Sequence, residues 1–167
     1  MAKNTQSVAI VMGSDSDLPV MKLCVDKLRD FGIEPVVRII SAHRTPDIAA
    51  DFAANAASNG IKVIIAAAGM AAHLAGAMAA KSALPIIGVP LAASESPAGI
   101  DALLSTVQMP PGVPVASMAI GKAGAINAAI FAVQILALGD EALAAKLTDF
   151  RKAQSQKVIE KDSSLKI

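Results

Sequence analysis

Aromatic side chains are scarce in this chain of 167 residues: tryptophan and tyrosine are absent, and phenylalanine occurs only four times. Sites that bind a flavin or a nucleic-acid base usually stack an aromatic ring against it. The scarcity therefore argues against both kinds of site. The charge distribution also argues against nucleic acid, because 15 basic and 14 acidic residues are mixed along the chain without a basic patch.

Cysteine and histidine are rarer still. The one cysteine, Cys24, cannot form a disulfide within the chain, which is typical of proteins of a reducing cytoplasm. Cys24 falls on the apolar stripe of a predicted helix, so we interpret it as a core residue. The two histidines, His43 and His73, show none of the usual spacings of metal ligands. We therefore expect no metal site.

Acidic and basic residues are missing from one long run, Val63 to Ala80. Its length just reaches the roughly 18 residues of a membrane-spanning helix. Gly69, His73 and Gly76 interrupt the run, however, and its many alanines contribute little to membrane insertion. The segment Met1 to Gln6 is polar, unlike the start of a signal peptide. We predict a cytoplasmic protein that does not enter a membrane.

The apolar fraction of the chain is 54%, which is high for a soluble monomer, and alanine supplies much of it. Such a surplus is explained when apolar surface is buried between subunits as well as inside each subunit. The composition therefore predicts a homo-oligomer.

Strand-like and helix-like stretches alternate along the chain. Continuous β-branched or alanine-rich runs predict strands at residues 7–12, 34–40, 61–67, 85–89 and 115–120. Apolar residues at helical spacing predict helices at residues 18–31, 46–59, 71–82, 100–107, 123–138 and 140–160. This alternation predicts an α/β fold in which helices cover both faces of a five-stranded parallel sheet.

Nothing in the chain reads as a linker, so we predict a single domain over residues 1–167, with a core at about 7–138. The last predicted helix, at about 140–160, is capped by Asp140 and carries charges on all faces but one. We expect this helix to pack on a neighbouring subunit.

Local signals predict where several elements begin and end. Asp17 is predicted to cap the first helix, with Pro19 in its first turn. Thr45 is predicted to cap the second helix, with Pro46 at its first position. Pro90 is expected to end the fourth strand, because proline has no N–H to donate to a sheet.

Three predicted strands are followed by loops of small or polar residues, at 13–17, 41–46 and 68–76. The carboxyl ends of parallel strands share one edge of the sheet, and ligands bind at that edge. We expect the three loops to form one site.

The first loop offers the hydroxyls of Ser14 and Ser16 beside the backbone N–H groups of a helix start, an arrangement that attracts phosphate. An ordinary capped turn would have the same residues. The loop is not a Walker loop, and the Gly-x-Gly-x-x-Gly pattern is absent.

The second loop places His43 beside Arg44. An imidazole with an unperturbed pKa of about 6.5 is suited to moving protons, and a guanidinium holds phosphate through forked hydrogen bonds. A loop-capping histidine next to a surface arginine is the alternative, and we favour the functional interpretation. His73, two residues into the third predicted helix, is either a ligand contact or a structural histidine.

Six short motifs, in order along the chain, resemble those of the N5-carboxyaminoimidazole ribonucleotide mutase family of purine biosynthesis, within the phosphoribosylaminoimidazole carboxylases. They are Met12-Gly13-Ser14-Asp15-Ser16-Asp17, Ser41-Ala42-His43-Arg44-Thr45-Pro46, Ala71-Ala72-His73-Leu74, Gly88-Val89-Pro90, Val107-Gln108-Met109-Pro110 and Ala119-Ile120-Gly121. The resemblance covers Val8 to about Ala153. The Arg-Thr-Pro and Ala-His-Leu forms are similar to the bacterial class I mutases.

The resemblance implies a three-layer flavodoxin-like fold, and an octamer with sites near subunit junctions. It implies isomerisation of a small nucleotide without metal or organic cofactor, in which a carboxylate moves from the exocyclic nitrogen to C4. By matching position, His43 is the general acid and base, and Asp17 binds the ribose hydroxyls. The phosphate is held by Ser14, Ser16 and Arg44. The base and the carboxylate are lined by Ser41, Gly69, Met70, Ala71 and His73.

The chain departs from the family pattern at a few positions. Met70 stands where many members have glycine, and Ala75 stands where many have proline. The loop 92–98 lacks the glutamine and basic residues often found there. Two other functions stay open: direct carboxylation of aminoimidazole ribonucleotide by CO2, and a non-catalytic nucleotide- or flavin-binding module.

Overall fold

The computed structural model describes residues 6–93 and 97–165. Its five strands form one parallel sheet in the order β2-β1-β3-β4-β5, the order of flavodoxin-like folds. The strands are β1 (Val8–Met12), β2 (Val36–Ile39), β3 (Val63–Gly69), β4 (Ile86–Leu91) and β5 (Ala116–Ser117). The predicted α/β fold class is confirmed. Strand order reverses between β1 and β3, which opens a crevice at the carboxyl edge of the sheet.

Six α-helices lie within the described residues. They are α1 (Leu18–Asp30), α2 (Pro46–Asn55), α3 (Leu74–Ala79), α4 (Ile100–Val107), α5 (Lys122–Ala137) and α6 (Glu141–Ser163). One apolar cluster joins the sheet to α1 and α5, and a second joins its other face to α2 and α3. The result is a three-layer domain with the sheet in the middle.

The strands β1, β3 and β4 are buried along almost their whole length, as continuous apolar runs in parallel sheets should be. Cys24 on α1 is fully buried in the first cluster, as predicted. The loops after β1 and β3 are therefore attached to the buried centre of the sheet, whereas the loop after β2 follows an exposed edge strand.

The predicted caps of the first two helices are wrong: both residues occupy the N-cap position, but neither side chain makes the capping hydrogen bond. Asp17 occupies the N-cap position of α1 but makes no capping bond there, because its carboxylate turns back to the N–H of Ser14. That bond belongs to a short 3-10 helix, Asp15–Asp17, capped by Ser14. Thr45 occupies the N-cap position of α2, yet its hydroxyl bonds both the N–H and the carbonyl of Ser41.

Several boundary predictions are also wrong: β5 covers only Ala116–Ser117 of the predicted 115–120, and α2 ends at Asn55 rather than at residue 59. Two further errors lie close to the site. Helix α3 begins at Leu74 rather than Ala71, because the N–H groups of Ala72 and His73 bond to carbonyls only two residues earlier, in a tight turn that is not helical. His73 is therefore at its N-cap position. Strand β4 continues through Pro90. Proline is tolerated there because β5 has already ended beside it, and the Pro90 carbonyl accepts a hydrogen bond from the N–H of Gly121.

Helices α4 and α6 are close to prediction. Helix α4 has the predicted bounds, and Asp140 caps α6 by accepting a bond from the N–H of Leu143. The first half of α6 packs on its own chain, where Phe150 meets Phe31 edge to face at 5.5 Å. The second half is exposed. No helix in the described part of the chain is long and apolar enough to cross a membrane.

Candidate active site

The three loops predicted to converge do meet, around a cavity of about 610 Å³ at the carboxyl edge of the sheet. They follow β1, β2 and β3, which are neighbours in the sheet. The cavity is lined by Gly13, Ser14, Ser16, Asp17, Ser41, Ala42, His43, Arg44, Ala68, Gly69, Met70, Ala71, Leu74 and Ala93.

The loop after β1 presents two hydroxyls to this cavity. The Oγ atoms of Ser14 and Ser16 lie 3.0 Å apart, and the N–H of Ser16 donates to the Oγ of Ser14 at 3.3 Å and to the carboxylate of Asp15 at 3.1 Å. The loop leads into α1, whose N-terminal end carries a partial positive charge. This wall of the cavity is suited to an anionic ligand.

Asp17 adds a half-buried carboxylate to the same wall. Burial raises the pKa of Asp17 above its ordinary value of 3.8, although backbone hydrogen bonds from Ser14 and Gly13 oppose the increase. Its Oδ2 accepts the N–H of Ser14 at 3.1 Å. A carboxylate fixed in this way is well placed to accept hydrogen bonds from ligand hydroxyls.

The loop after β2 is closed by its own hydrogen bonds. The hydroxyl of Thr45 is 3.0 Å from both the nitrogen and the oxygen of Ser41, and the N–H of Arg44 donates to the Oγ of Ser41 at 3.1 Å. The guanidinium of Arg44 then reaches across and donates to the carbonyl oxygen of Gly13 at 3.1 Å. One of the five N–H groups of the guanidinium is thus engaged, and this hydrogen bond joins the first two loops.

His43 makes a contact that sequence does not indicate. Its Nε2 lies 2.8 Å from the Nδ1 of His73, with the two rings edge to face and their centroids 4.9 Å apart. One of the two nitrogens must carry the proton and the other must accept it. His43 lines the cavity, whereas His73 supports it from the start of α3.

The loop after β3 approaches the cavity with its backbone. A Cβ on Gly69 would lie 3.1 Å from the carbonyl oxygen of Leu91, so a side chain would crowd the end of β4. Two short bonds of 2.8 Å, from Ala72 N–H to the Met70 carbonyl and from His73 N–H to the Ala71 carbonyl, then hold the turn. Met70 is brought to the cavity, with 52% of its surface exposed.

Most of the residues predicted for the site lie in one place. All line the cavity except His73, which reaches it through His43. Sequence reasoning missed Ala93, although the position of β4 beside β3 could have signalled that its loop shares the edge. The neighbouring residues 94–96, part of the loop 92–98 noted above, lie outside the described residues.

A second cavity, of about 480 Å³, shares Gly13, Ser14, Ser41 and Arg44 with the first and extends to Ile39 on β2. Arg44 therefore lines both cavities. Within residues 6–93 and 97–165, no three histidine, cysteine or acidic side chains are grouped so that they could hold a metal ion. The chemistry the site offers is anion binding and proton transfer.

Comparisons with known proteins agree with this arrangement. A family model described as AIR carboxylase matches residues 7–157. A Brucella melitensis protein named N5-carboxyaminoimidazole ribonucleotide mutase is 54% identical over 94% of this chain and 96% of its own length. Bacillus subtilis and Escherichia coli proteins of that name are 51% and 50% identical, over 95% and 94% of this chain and 97% and 92% of their own. The crystal structure of Treponema denticola PurE has a TM-score of 0.85 at 32% identity, covering 96% of this chain and 98% of its own.

Proposed function

This chain belongs to the AIR carboxylase family, and from that premise we propose that it is an isomerase of purine biosynthesis. The reaction is that of an N5-carboxyaminoimidazole ribonucleotide mutase: a carboxylate moves from the exocyclic nitrogen of the substrate to C4. The observation that carries the proposal is the position of His43, which shares a cavity with Arg44 and with the hydroxyls of Ser14 and Ser16.

The anion-binding groups support a phosphate anchor for the nucleotide. We assign the phosphate to Ser14, Ser16 and Arg44, because two adjacent hydroxyls, a helix start and a guanidinium are all favourable to a dianion. Asp17 is assigned to the ribose hydroxyls, since an ionised carboxylate accepts hydrogen bonds but donates none. With the phosphate held at one end of the nucleotide, the imidazole base at the other end lies against His43.

His43 is assigned both proton transfers. When the bond between the exocyclic nitrogen and its carboxylate breaks, the electron pair stays on the nitrogen, which takes a proton from His43, and CO2 is freed. C4 then attacks the CO2, and the proton that leaves C4 returns to His43. Atoms and charge balance, and the histidine ends as it began, so one histidine can serve both steps.

The other cavity residues surround the base and the carboxylate. Ser41 supplies a hydroxyl, and Gly69, Met70 and Ala71 supply the wall against the reacting end, while His73 orients His43 through their 2.8 Å contact. The reaction is an isomerisation that needs no oxidant or reductant, and the amino group of the substrate makes C4 nucleophilic. We therefore expect neither a metal nor an organic cofactor to take part.

The assay that tests this function supplies two nucleotides separately. We expect the N-carboxylated nucleotide to be converted to the C4-carboxylated product at low CO2, and the uncarboxylated nucleotide to be converted poorly under the same conditions. Absorbance of the C4-carboxylated product, corrected for spontaneous decarboxylation in a blank, measures both rates. Efficient conversion of only the uncarboxylated nucleotide would show a direct carboxylase instead.

We further propose, as the family resemblance implies, that the chain assembles into a homo-octamer in the cytoplasm with the sites close to subunit junctions. The exposed apolar side chains support burial of surface between subunits. Ile39 on the edge strand β2 is 55% exposed and also lines the second cavity, so a neighbouring subunit seated there would border the site. The exposed second half of α6 offers another contact surface, in keeping with the prediction that this helix packs on a neighbour. Light scattering of the active fraction checks the assembly, and a monomeric mass would contradict it.

Replacing Asp17 by asparagine should lower nucleotide affinity without lowering thermal stability. An amide still accepts the N–H of Ser14 but is neutral, so it avoids the cost of burying a charge. The raised pKa means that wild-type Asp17 favours folding when protonated, and that this contribution is lost as pH rises through the folded-state pKa. At neutral pH we therefore expect an unchanged or higher melting temperature, with the difference vanishing near pH 3.

In the same variant, affinity for the nucleotide should fall about tenfold, because hydroxyl bonds to a charged acceptor are stronger than those to an amide. Thermal melts across pH and a binding titration are the two measurements. A loss of affinity that follows a loss of stability would contradict the assignment of Asp17 to the ribose.

A further inference from the structure

Met70 holds a backbone conformation that costs free energy. Its φ is 55°, in the left-handed region where an unbranched side chain is strained and glycine is not. Such strain persists only where the surroundings impose it, and it concentrates at functional sites. Here the surroundings are Gly69, held against the carbonyl of Leu91, and the two 2.8 Å bonds of the turn that follows.

The strained turn directs the only large exposed apolar side chain of the cavity wall, within the described residues. Leu74, the other large apolar residue there, is 2% exposed and belongs to the core, whereas Met70 is 52% exposed. The neighbouring wall positions, Ala68, Ala71 and Ala93, are all alanine. The same turn leads within three residues to His73 and through it to His43.

Freed CO2 is small, linear and uncharged, so neither Arg44 nor the serine hydroxyls can hold it by charge. It must be retained by closing the space around it with apolar atoms that exclude water. A methionine side chain suits that task, because it is unbranched, flexible and polarizable, and fills irregular gaps.

We propose that Met70 is the cover of the reacting end of the site: its thioether lies over the bound base and retains CO2 between its release from nitrogen and its addition to C4. This inference rests on the isomerase function proposed above. Met70 makes and breaks no bond in the reaction. Many members of the family have glycine at this position, so the role of Met70 is to lower the fraction of freed CO2 that escapes rather than to make the reaction possible.

The test measures escape directly. Unlabelled N-carboxylated nucleotide is converted by excess enzyme in buffer containing ¹³C-bicarbonate and carbonic anhydrase, and mass spectrometry gives the labelled fraction of the C4-carboxylated product. We expect a low fraction for the wild type, a fraction about fivefold higher for Met70→Gly, and a fraction within about twofold of the wild type for Met70→Leu, which keeps the bulk. Met70→Gly should fold, because glycine adopts this φ without strain.

Three results would overturn the proposal: equal labelling in Met70→Gly and the wild type, equally raised labelling in the glycine and leucine variants, or full labelling already in the wild type. In the first two cases the wild-type product still carries the carboxylate of its own substrate, so the isomerase function survives. In the third case the product takes its carboxylate from solution, and the assay with the two nucleotides under Proposed function then decides between the isomerase and a direct carboxylase. A wild type that makes no product from the N-carboxylated nucleotide is a different outcome, and it would contradict both the isomerase function and the role of Met70.

Discussion

Replacement of His43 by asparagine should lower turnover about a thousandfold while nucleotide affinity changes only a fewfold. Asparagine is close to imidazole in size and can still face His73, so the cavity keeps its shape and its phosphate-binding groups. It cannot exchange a proton near neutral pH, however, and both steps of the proposed reaction need that exchange. Single-turnover rates and a binding titration with the C4-carboxylated product measure the two effects.

His73→Asn is the matched control for this experiment. The side chain of His73 contacts the ring of His43 at 2.8 Å but does not line the cavity, so its loss should disturb only the orientation of His43. We expect turnover to fall about tenfold, well short of the loss in His43→Asn. If the two variants lose turnover equally, the proton transfers cannot be assigned to His43 alone.

The convergence of the three loops could be predicted because it follows from topology. Parallel strands place all their carboxyl ends on one edge, so the loops 41–46 and 68–76 must both border the loop 13–17 once β2 and β3 flank β1. Alternation of strand and helix patterns was enough to predict the shared edge, and the observed strand order β2-β1-β3 brings the three loops together. Which residues belong to the site was therefore decided largely by where the strands end.

The contacts inside the site could not be predicted in the same way. The pairing of His43 with His73 joins residues 30 positions apart, and depends on where each side chain points rather than on any local pattern. The hydroxyl of Thr45 had two partners within reach, the N-terminus of α2 and the backbone of Ser41, and sequence alone could not choose between them. The left-handed turn at Met70 was missed because methionine gives no signal for positive φ.

Replacement of Arg44 by alanine should weaken nucleotide binding by roughly 10- to 100-fold, the range expected for hydrogen bonds to a charged group. The variant also loses the bond to the carbonyl of Gly13, but the bond from the N–H of residue 44 to the Oγ of Ser41 is made by backbone and should remain. The loop should therefore keep its shape. Lysine at this position should restore only part of the affinity, because an ammonium cannot make the forked contact.

Two comparisons decide whether the effect of Arg44→Ala is a phosphate contact. The phosphate-free nucleoside should bind the variant and the wild type with similar affinity, since it lacks the group that Arg44 holds. Arg38→Ala is the control for charge, because it removes the same charge from β2. The guanidinium of Arg38 lies 5.8 Å from the ring of Phe52 and does not line the cavity. We expect this variant to keep its nucleotide affinity within about twofold of the wild type. Equal losses for the nucleotide and the nucleoside would mean that Arg44 shapes the site rather than binds phosphate. Equal losses in Arg38→Ala and Arg44→Ala would mean that the overall charge of the chain attracts the nucleotide and that neither arginine holds it.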